Sequence, residues 1–98
     1  MSNIRENIFN YFEEREVENV PILEPDALDM AILGVTENQI VYSYDKLIEA
    51  YTIEFREDNM SDDELYEQAI EWVEYNTLRS IPYMGDNKPI IVYSIDDI

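Results

Sequence analysis

Cysteine and histidine are both missing from this chain of 98 residues, and most of the commoner site chemistries go with them. Without cysteine there is no disulfide, no thiolate metal site and no thiol nucleophile, and the composition fits a reducing compartment. Without histidine the chain lacks the usual proton carrier near neutral pH and the commonest nitrogen ligand for zinc. Glycine is confined to Gly34 and Gly85, which cannot build a phosphate-cradling loop. Bases are scarce as well. Arg5, Arg15, Lys46, Arg56, Arg79 and Lys88 are scattered and cannot neutralise a row of phosphates, which argues against direct binding to nucleic acid. No apolar run approaches the roughly 20 residues that cross a bilayer. Met1-Ser2-Asn3 opens onto a polar, acidic pattern rather than a leader. The expectation is a cytoplasmic protein without membrane contact and without a cofactor.

What the chain has in excess is negative charge. Asp and Glu number 23 against 6 bases, giving −17 and a pI near 4.1. Such a field repels nucleic acid and anionic lipid, attracts basic surfaces and weakens the fold by self-repulsion. Folding is still within reach, because 46% of the residues are hydrophobic and 12% aromatic. A chain of this length builds one core, so residues 1–98 are read as a single domain.

Apolar Ile4, Ile8, Phe9 and Phe12 recur at helical spacing and predict a helix from Ile4 to about Val17, with Ser2 or Asn3 as N-cap. Pro21 and Pro25 bracket an extended connector. Leu28 to Val35 and Gln39 to Tyr44 read as a hairpin closed by Thr36-Glu37-Asn38-Gln39, with Asn38 expected at positive φ. Tyr44, Leu47, Ile48, Tyr51 and Phe55 then describe a helix capped by Ser43 or Asp45 and ending near Arg56. Ser61-Asp62-Asp63-Glu64 is a capping-box pattern, and it starts a helix whose expected buried stripe is Leu65, Ala69, Trp72, Val73 and Asn76. Ile81 to Pro89 is a turn region, and Ile90 to Ile95 reads as a strand in the middle of the sheet. The fold class is α+β in the order α-β-β-α-α-β: a three-stranded, antiparallel-type sheet with helices covering one face.

Carboxylates are the only abundant reactive groups. A pair of them working as acid and base needs a cleft and one raised pKa, and acids on exposed helical faces offer neither, so no catalytic residues are assigned. Glu57, Asp58, Asn59, Asp62, Asp63 and Glu64 gather oxygens, yet they lack the glycine and the alternation of a calcium loop, and no metal site is assigned. Asn76 reads as a buried polar group satisfied by the neighbouring turn. Tyr66, Tyr75, Tyr83 and Tyr93 could line a pocket, but core or half-buried packing is the expectation for them.

The pattern that the fold does not require is acidic. Glu64, Glu67, Glu71 and Glu74, with Asp63 beside them, advance in steps of three and four, which sets neighbours about 5–6 Å apart on one helix face. Each like-charge pair costs a few tenths of a kcal/mol, and no lysine interleaves to relieve it. Glu13, Glu14 and Glu16, with Glu18, form a second cluster at the end of the first helix, where acids oppose the helix dipole. Such rows can occupy the phosphate sites of a basic protein. A solvated face with incidental spacing is the plainer alternative.

The stretch AIEWVEYNTLRSIPYMGDNKPIIVY, with VYSYDKLIEAY before it, resembles a group of small proteins encoded by bacteriophages and prophages of Gram-positive bacteria. Its marks are a helix break, here Asn59-Met60-Ser61 where the group has Gly-Met-Ser or Gly-Met-Thr, an aromatic-Asn pair, Tyr75-Asn76, and a Tyr-x-Gly-x-x-x-Pro-Ile motif, Tyr83 to Ile90. The resemblance spans about residues 28 to 93 and brings no catalytic assignment. It implies a phage origin, and acidic phage proteins of this size include inhibitors of host restriction and CRISPR nucleases. The functional expectation is a non-enzymatic inhibitor whose partner is a basic, nucleic-acid-binding host protein, met through Asp63, Glu64, Glu67, Glu71, Glu74, Glu13, Glu14 and Glu16. The alternative is a small accessory protein, monomer or homodimer, that docks through an apolar surface such as the turn at Tyr83, with acidity serving solubility.

Overall fold

The structure, a computed structural model, describes residues 4–57 and 59–97. The N-cap expected at Ser2 or Asn3 lies outside the described residues. Helix α1 (Ile4–Glu14) turns Ile8 and Phe12 into the core, and the connector that follows brings in Leu23. A 3₁₀ helix (Asp26–Ala31) leads into strand β1 (Ile32–Val35), and β2 (Ile40–Ser43) runs directly into α2 (Tyr44–Phe55). Helix α3 (Asp62–Trp72) continues through a π-helical turn (Val73–Thr77) into the short α4 (Leu78–Ser80) and a 3₁₀ turn (Ile81–Tyr83). The chain then forms β3 (Ile90–Val92) and a last 3₁₀ turn (Ile95–Asp97). With α3, the π turn and α4 taken as one rod, the α+β order is the one read from the sequence. Among the described residues, no helix is long and apolar enough to cross a membrane.

Local chemistry sets the helix starts. The Ser43 hydroxyl accepts from the Lys46 amide at 3.3 Å, and the Ser61 hydroxyl from the Glu64 amide at 3.2 Å. Each satisfies one of the amides that a first turn leaves unpaired, worth about 1 kcal/mol. At the far end of α1 the Val17 amide returns to the Phe12 carbonyl (2.9 Å) and the Glu16 amide to that of Glu13 (3.0 Å). This is a Schellman closure with Glu16 in the left-handed position at φ 58, and it stops α1 short of the expected Val17.

The sheet differs from expectation in its last pairing. β1 and β2 are antiparallel, with a bulge between Ile32 and Gly34, but β2 and β3 are parallel. The order is β1-β2-β3, so β2 is central and β3 an edge, whereas the last strand was expected in the middle. A parallel return needs a long crossover, and the helical chain from Tyr44 to Pro89 supplies it. β2 suits the centre: Ile40 and Tyr42 are fully buried while Val41 and Ser43 are half-buried, the alternation of a sheet packed on one face. Leu28 to Ala31 is 3₁₀ rather than strand, with the Leu28 amide bonded to the Pro25 carbonyl, so β1 begins only at Ile32. Asn38 does not take positive φ; among the described residues the left-handed asparagine is Asn19. The Asn38 side chain instead donates to Asn87 at 3.0 Å, and Asn87 donates to the Glu18 carbonyl at 2.8 Å, which ties the hairpin loop to the α1 connector.

Around β2 the core joins Leu28 and Ala31 to Leu47, Ile48, Ala50 and Tyr51 of α2 and to Ala69 and Val73. The buried stripe of the long helix is Leu65, Ala69, Val73 and Thr77, steps of four throughout. An α-helix drifts 40° at each such step, and the wider π turn takes up the drift. Thr77 therefore faces inward where Asn76 was expected, and its hydroxyl shares a buried 3.1 Å hydrogen bond with that of Tyr51. Asn76 is exposed, and Trp72, also expected in the core, is 45% exposed.

Candidate acidic interface

The residues of the acidic row lie on the side of α3 away from Leu65, Ala69 and Val73. At about 100° per residue, Asp63, Glu64, Glu67 and Glu71 fall opposite that stripe, and all are exposed. Glu74 continues the row into the π turn. Among the described residues, Glu64, Glu67 and Glu71 have no ion-pair partner. Three of the six bases are engaged elsewhere. Arg5 meets Asp29 at 2.7 Å, Glu24 at 3.1 Å and Asp26 at 3.3 Å, Arg15 lies 3.7 Å over the Tyr11 ring, and Arg56 meets Asp62 at 3.4 Å. Arg79 lies over Tyr75, 4.7 Å from the ring centre, near the end of the row.

Glu74 is held differently from the others. The Tyr44 hydroxyl donates to its carboxylate at 2.6 Å, and the Tyr44 ring rests on Tyr93 at 4.6 Å. Burial first, then the hydrogen bond to Glu74, hold the Tyr44 hydroxyl above its ordinary titration range, so it stays a donor. One end of the row is thereby fixed to α2 and to the segment after β3. Sequence spacing does not reveal this tie, because Tyr44 and Glu74 meet only once α2 and α3 are packed.

Glu13, Glu14 and Glu16 stand at the C-terminal end of α1, on a different element from the row. Glu13 lines a groove of about 480 Å³ with Phe9, Phe12, Val17 and Val20. Arg15 sits within this cluster and donates to the Tyr11 carbonyl, so its charge is partly offset, unlike that of the α3 row. Comparisons with family models, curated proteins and solved structures give no match.

The tyrosines depart from expectation. Tyr66, Tyr75, Tyr83 and Tyr93 are between 50% and 89% exposed, so none is a core residue. The buried aromatics are Phe12, Tyr42 and Tyr51 instead, and the Tyr42 hydroxyl accepts from the Leu23 amide at 2.9 Å. Among the described residues, which leave out Asp58 of the oxygen-rich break before α3, no group of three acidic side chains is arranged to hold a metal. The sequence reading also missed an aromatic cluster on the flank of the long helix. Phe55 meets Trp72 edge-on at 5.5 Å, and Tyr51 lies 5.4 Å from Phe55 and 6.3 Å from Trp72. The uninterrupted spacing by four from Leu65 to Thr77 is the signal that would have turned Trp72 out of the core.

Proposed function

We propose that the chain is a non-enzymatic inhibitor of phage origin that occupies the phosphate-binding groove of a basic host protein. The phage resemblance makes a CRISPR effector nuclease the first such target to test. The observation that carries this reading is the row Glu64, Glu67 and Glu71: exposed, set on one face of a helix and free of paired cations among the described residues. Carboxylates about 5–6 Å apart offer arginine and lysine side chains a repeating negative charge, as a phosphate backbone does. Asp63 and Glu74 extend the row, and Glu13, Glu14 and Glu16 add a separate patch. The test is affinity capture from a bacterial lysate at low and then raised salt, with wild type and a Glu67→Lys, Glu71→Lys, Glu74→Lys triple variant as bait. The expected outcome is a nucleic-acid-binding protein retained by wild type at low salt, released by salt and lost with the variant. Retention that ignores both salt and the variant overturns the reading.

A second reading, an oligomerising accessory module, draws on the 89% exposure of Tyr83 and the 83% exposure of Ile95. Apolar side chains so placed suit a contact between copies. Sedimentation showing a salt-resistant dimer, lost on Tyr83→Ala, would favour it over the first.

A further inference from the structure

Trp72 is the only tryptophan in the chain, and it stands 45% exposed on the helix that gives Leu65, Ala69 and Val73 to the core. Its ring is held in place. Phe55 supports it edge-on, and Tyr51 behind is tied by its hydroxyl to Thr77. Two grooves meet at it. One, of about 340 Å³, is lined by apolar Ile22, Leu28, Tyr51 and Met84 and by polar Asn76, Thr77 and Ser80, and its one carboxylate, Glu24, is paired with Arg5. The other, of about 410 Å³, lies between the end of α2 and α3 and presents Glu54, Glu57 and Gln68, while its one base, Arg56, is paired with Asp62. Gln68 is one turn from Trp72 and one turn from both Glu64 and Glu71, so this groove adjoins the acidic row.

We infer that the Trp72 face anchors the basic partner by seating one of its arginine side chains. The inference rests on the basic-partner reading and gives it a location. A fixed, half-exposed indole with Glu54 and Glu57 in the groove on one side attracts a cation twice, through the ring quadrupole and through the neighbouring charge. Arginine suits it better than lysine, because a planar, weakly hydrated guanidinium stacks on an aromatic face while its edge reaches Glu54 or Glu57 in the groove beside α3. Tryptophan and arginine are also the residue types that most often dominate a protein interface, set in the middle of near-neutral contacts. The acidic row then supplies steering and Trp72 the contact that keeps the partner in place.

Because Trp72 is the sole tryptophan, its fluorescence reports this site alone. The experiment titrates the full chain at low salt with an oligoarginine peptide and, separately, with oligolysine of equal length, reading heat by calorimetry and Trp72 emission in parallel. The expected result is one binding curve seen by both methods, several-fold tighter for arginine than for lysine. Trp72→Ala should weaken arginine binding about tenfold, with Trp72→Phe between the two. Circular dichroism checks that both variants are folded. Heat of binding with Trp72 emission unchanged, or equal affinities for wild type and the folded variants, overturns the Trp72 site and leaves the acidic reading standing. Absence of binding to either peptide overturns the basic-partner reading itself. Emission that shifts with protein concentration alone, in step with sedimentation of a dimer, assigns the face to a second copy and also overturns the proposal.

Discussion

Glu16 is the residue where sequence and backbone are most at odds. It occupies the left-handed position that closes α1 at φ 58, a place where glycine has no Cβ to clash. Its charge also lies at the negative end of the helix dipole. Glu16→Gly is expected to raise stability by about 1 kcal/mol in urea unfolding, the relief of the left-handed strain exceeding the added freedom of the unfolded chain. Tyr42 gives a pH-dependent prediction. Burial pushes its hydroxyl up to about 12 from 10, opposed in part by the Leu23 amide. Between those values the unfolded chain has released this proton and the folded chain keeps it. The folded state is then the better proton binder, so this contribution is complete below pH 10 and is lost as pH rises toward 12, by about 3 kcal/mol. Tyr42→Phe removes the titration but leaves the Leu23 amide unpaired, at a cost of about 1–3 kcal/mol near neutrality. The stability gap between wild type and Tyr42→Phe should therefore narrow steadily above pH 10 in parallel denaturant curves. A gap that is constant with pH would show that the buried hydroxyl does not titrate in this way.

At the scale of elements, the helix starts and the β1–β2 hairpin were readable, while the parallel pairing of β3 and the π turn were not. Ser43 and Ser61 act on amides three residues away, so α2 and α3 begin where a local pattern places them. The π turn has no comparable local mark, because it answers a packing demand: Leu65, Ala69, Val73 and Thr77 must all reach a core built from other elements. The same holds for Leu28 to Ala31, where the core takes Leu28 and Ala31 and leaves Met30 exposed, a demand that the apolar run itself does not mark. The acidic row was readable for the reason the caps were, since its spacing lies within one helix. Its consequence can be measured on that helix. Glu71→Lys places a base four residues after Glu67 and three before Glu74, replacing two repulsions with two attractions. It should stabilise the fold by about 0.5 kcal/mol while weakening capture of a basic partner. Opposite signs for stability and binding are what a functional acidic face requires. A solvated face with incidental spacing would show the gain in stability alone.

For the whole molecule, strand order and charge are the collective properties. The parallel pairing of β2 with β3 depends on where the α2–α3 crossover delivers Ile90, which no window of the sequence contains. Arg5 has a similar long reach, joining α1 to Glu24, Asp26 and Asp29 by a fan of ion pairs that fixes the connector against the 3₁₀ helix. The remaining charge is unevenly compensated, and at −17 the folded state brings carboxylates closer together than the unfolded chain does. Raising salt shortens the screening length from about 30 Å at 0.01 M to about 3 Å at 1 M, so self-repulsion should fade across that range. Melting temperature is expected to rise by about 5 °C or more, the equivalent of about 1 kcal/mol in a domain of this size. A Glu67→Gln, Glu71→Gln variant, with less repulsion to screen, should start higher at low salt and gain less, which separates charge screening from general salt effects on burial. Binding to a basic partner should move the other way, weakening over the same salt series. If stability and binding both strengthen with salt, apolar contact dominates, and the exposed Tyr83 and Ile95 become the surface to examine in place of the acidic row.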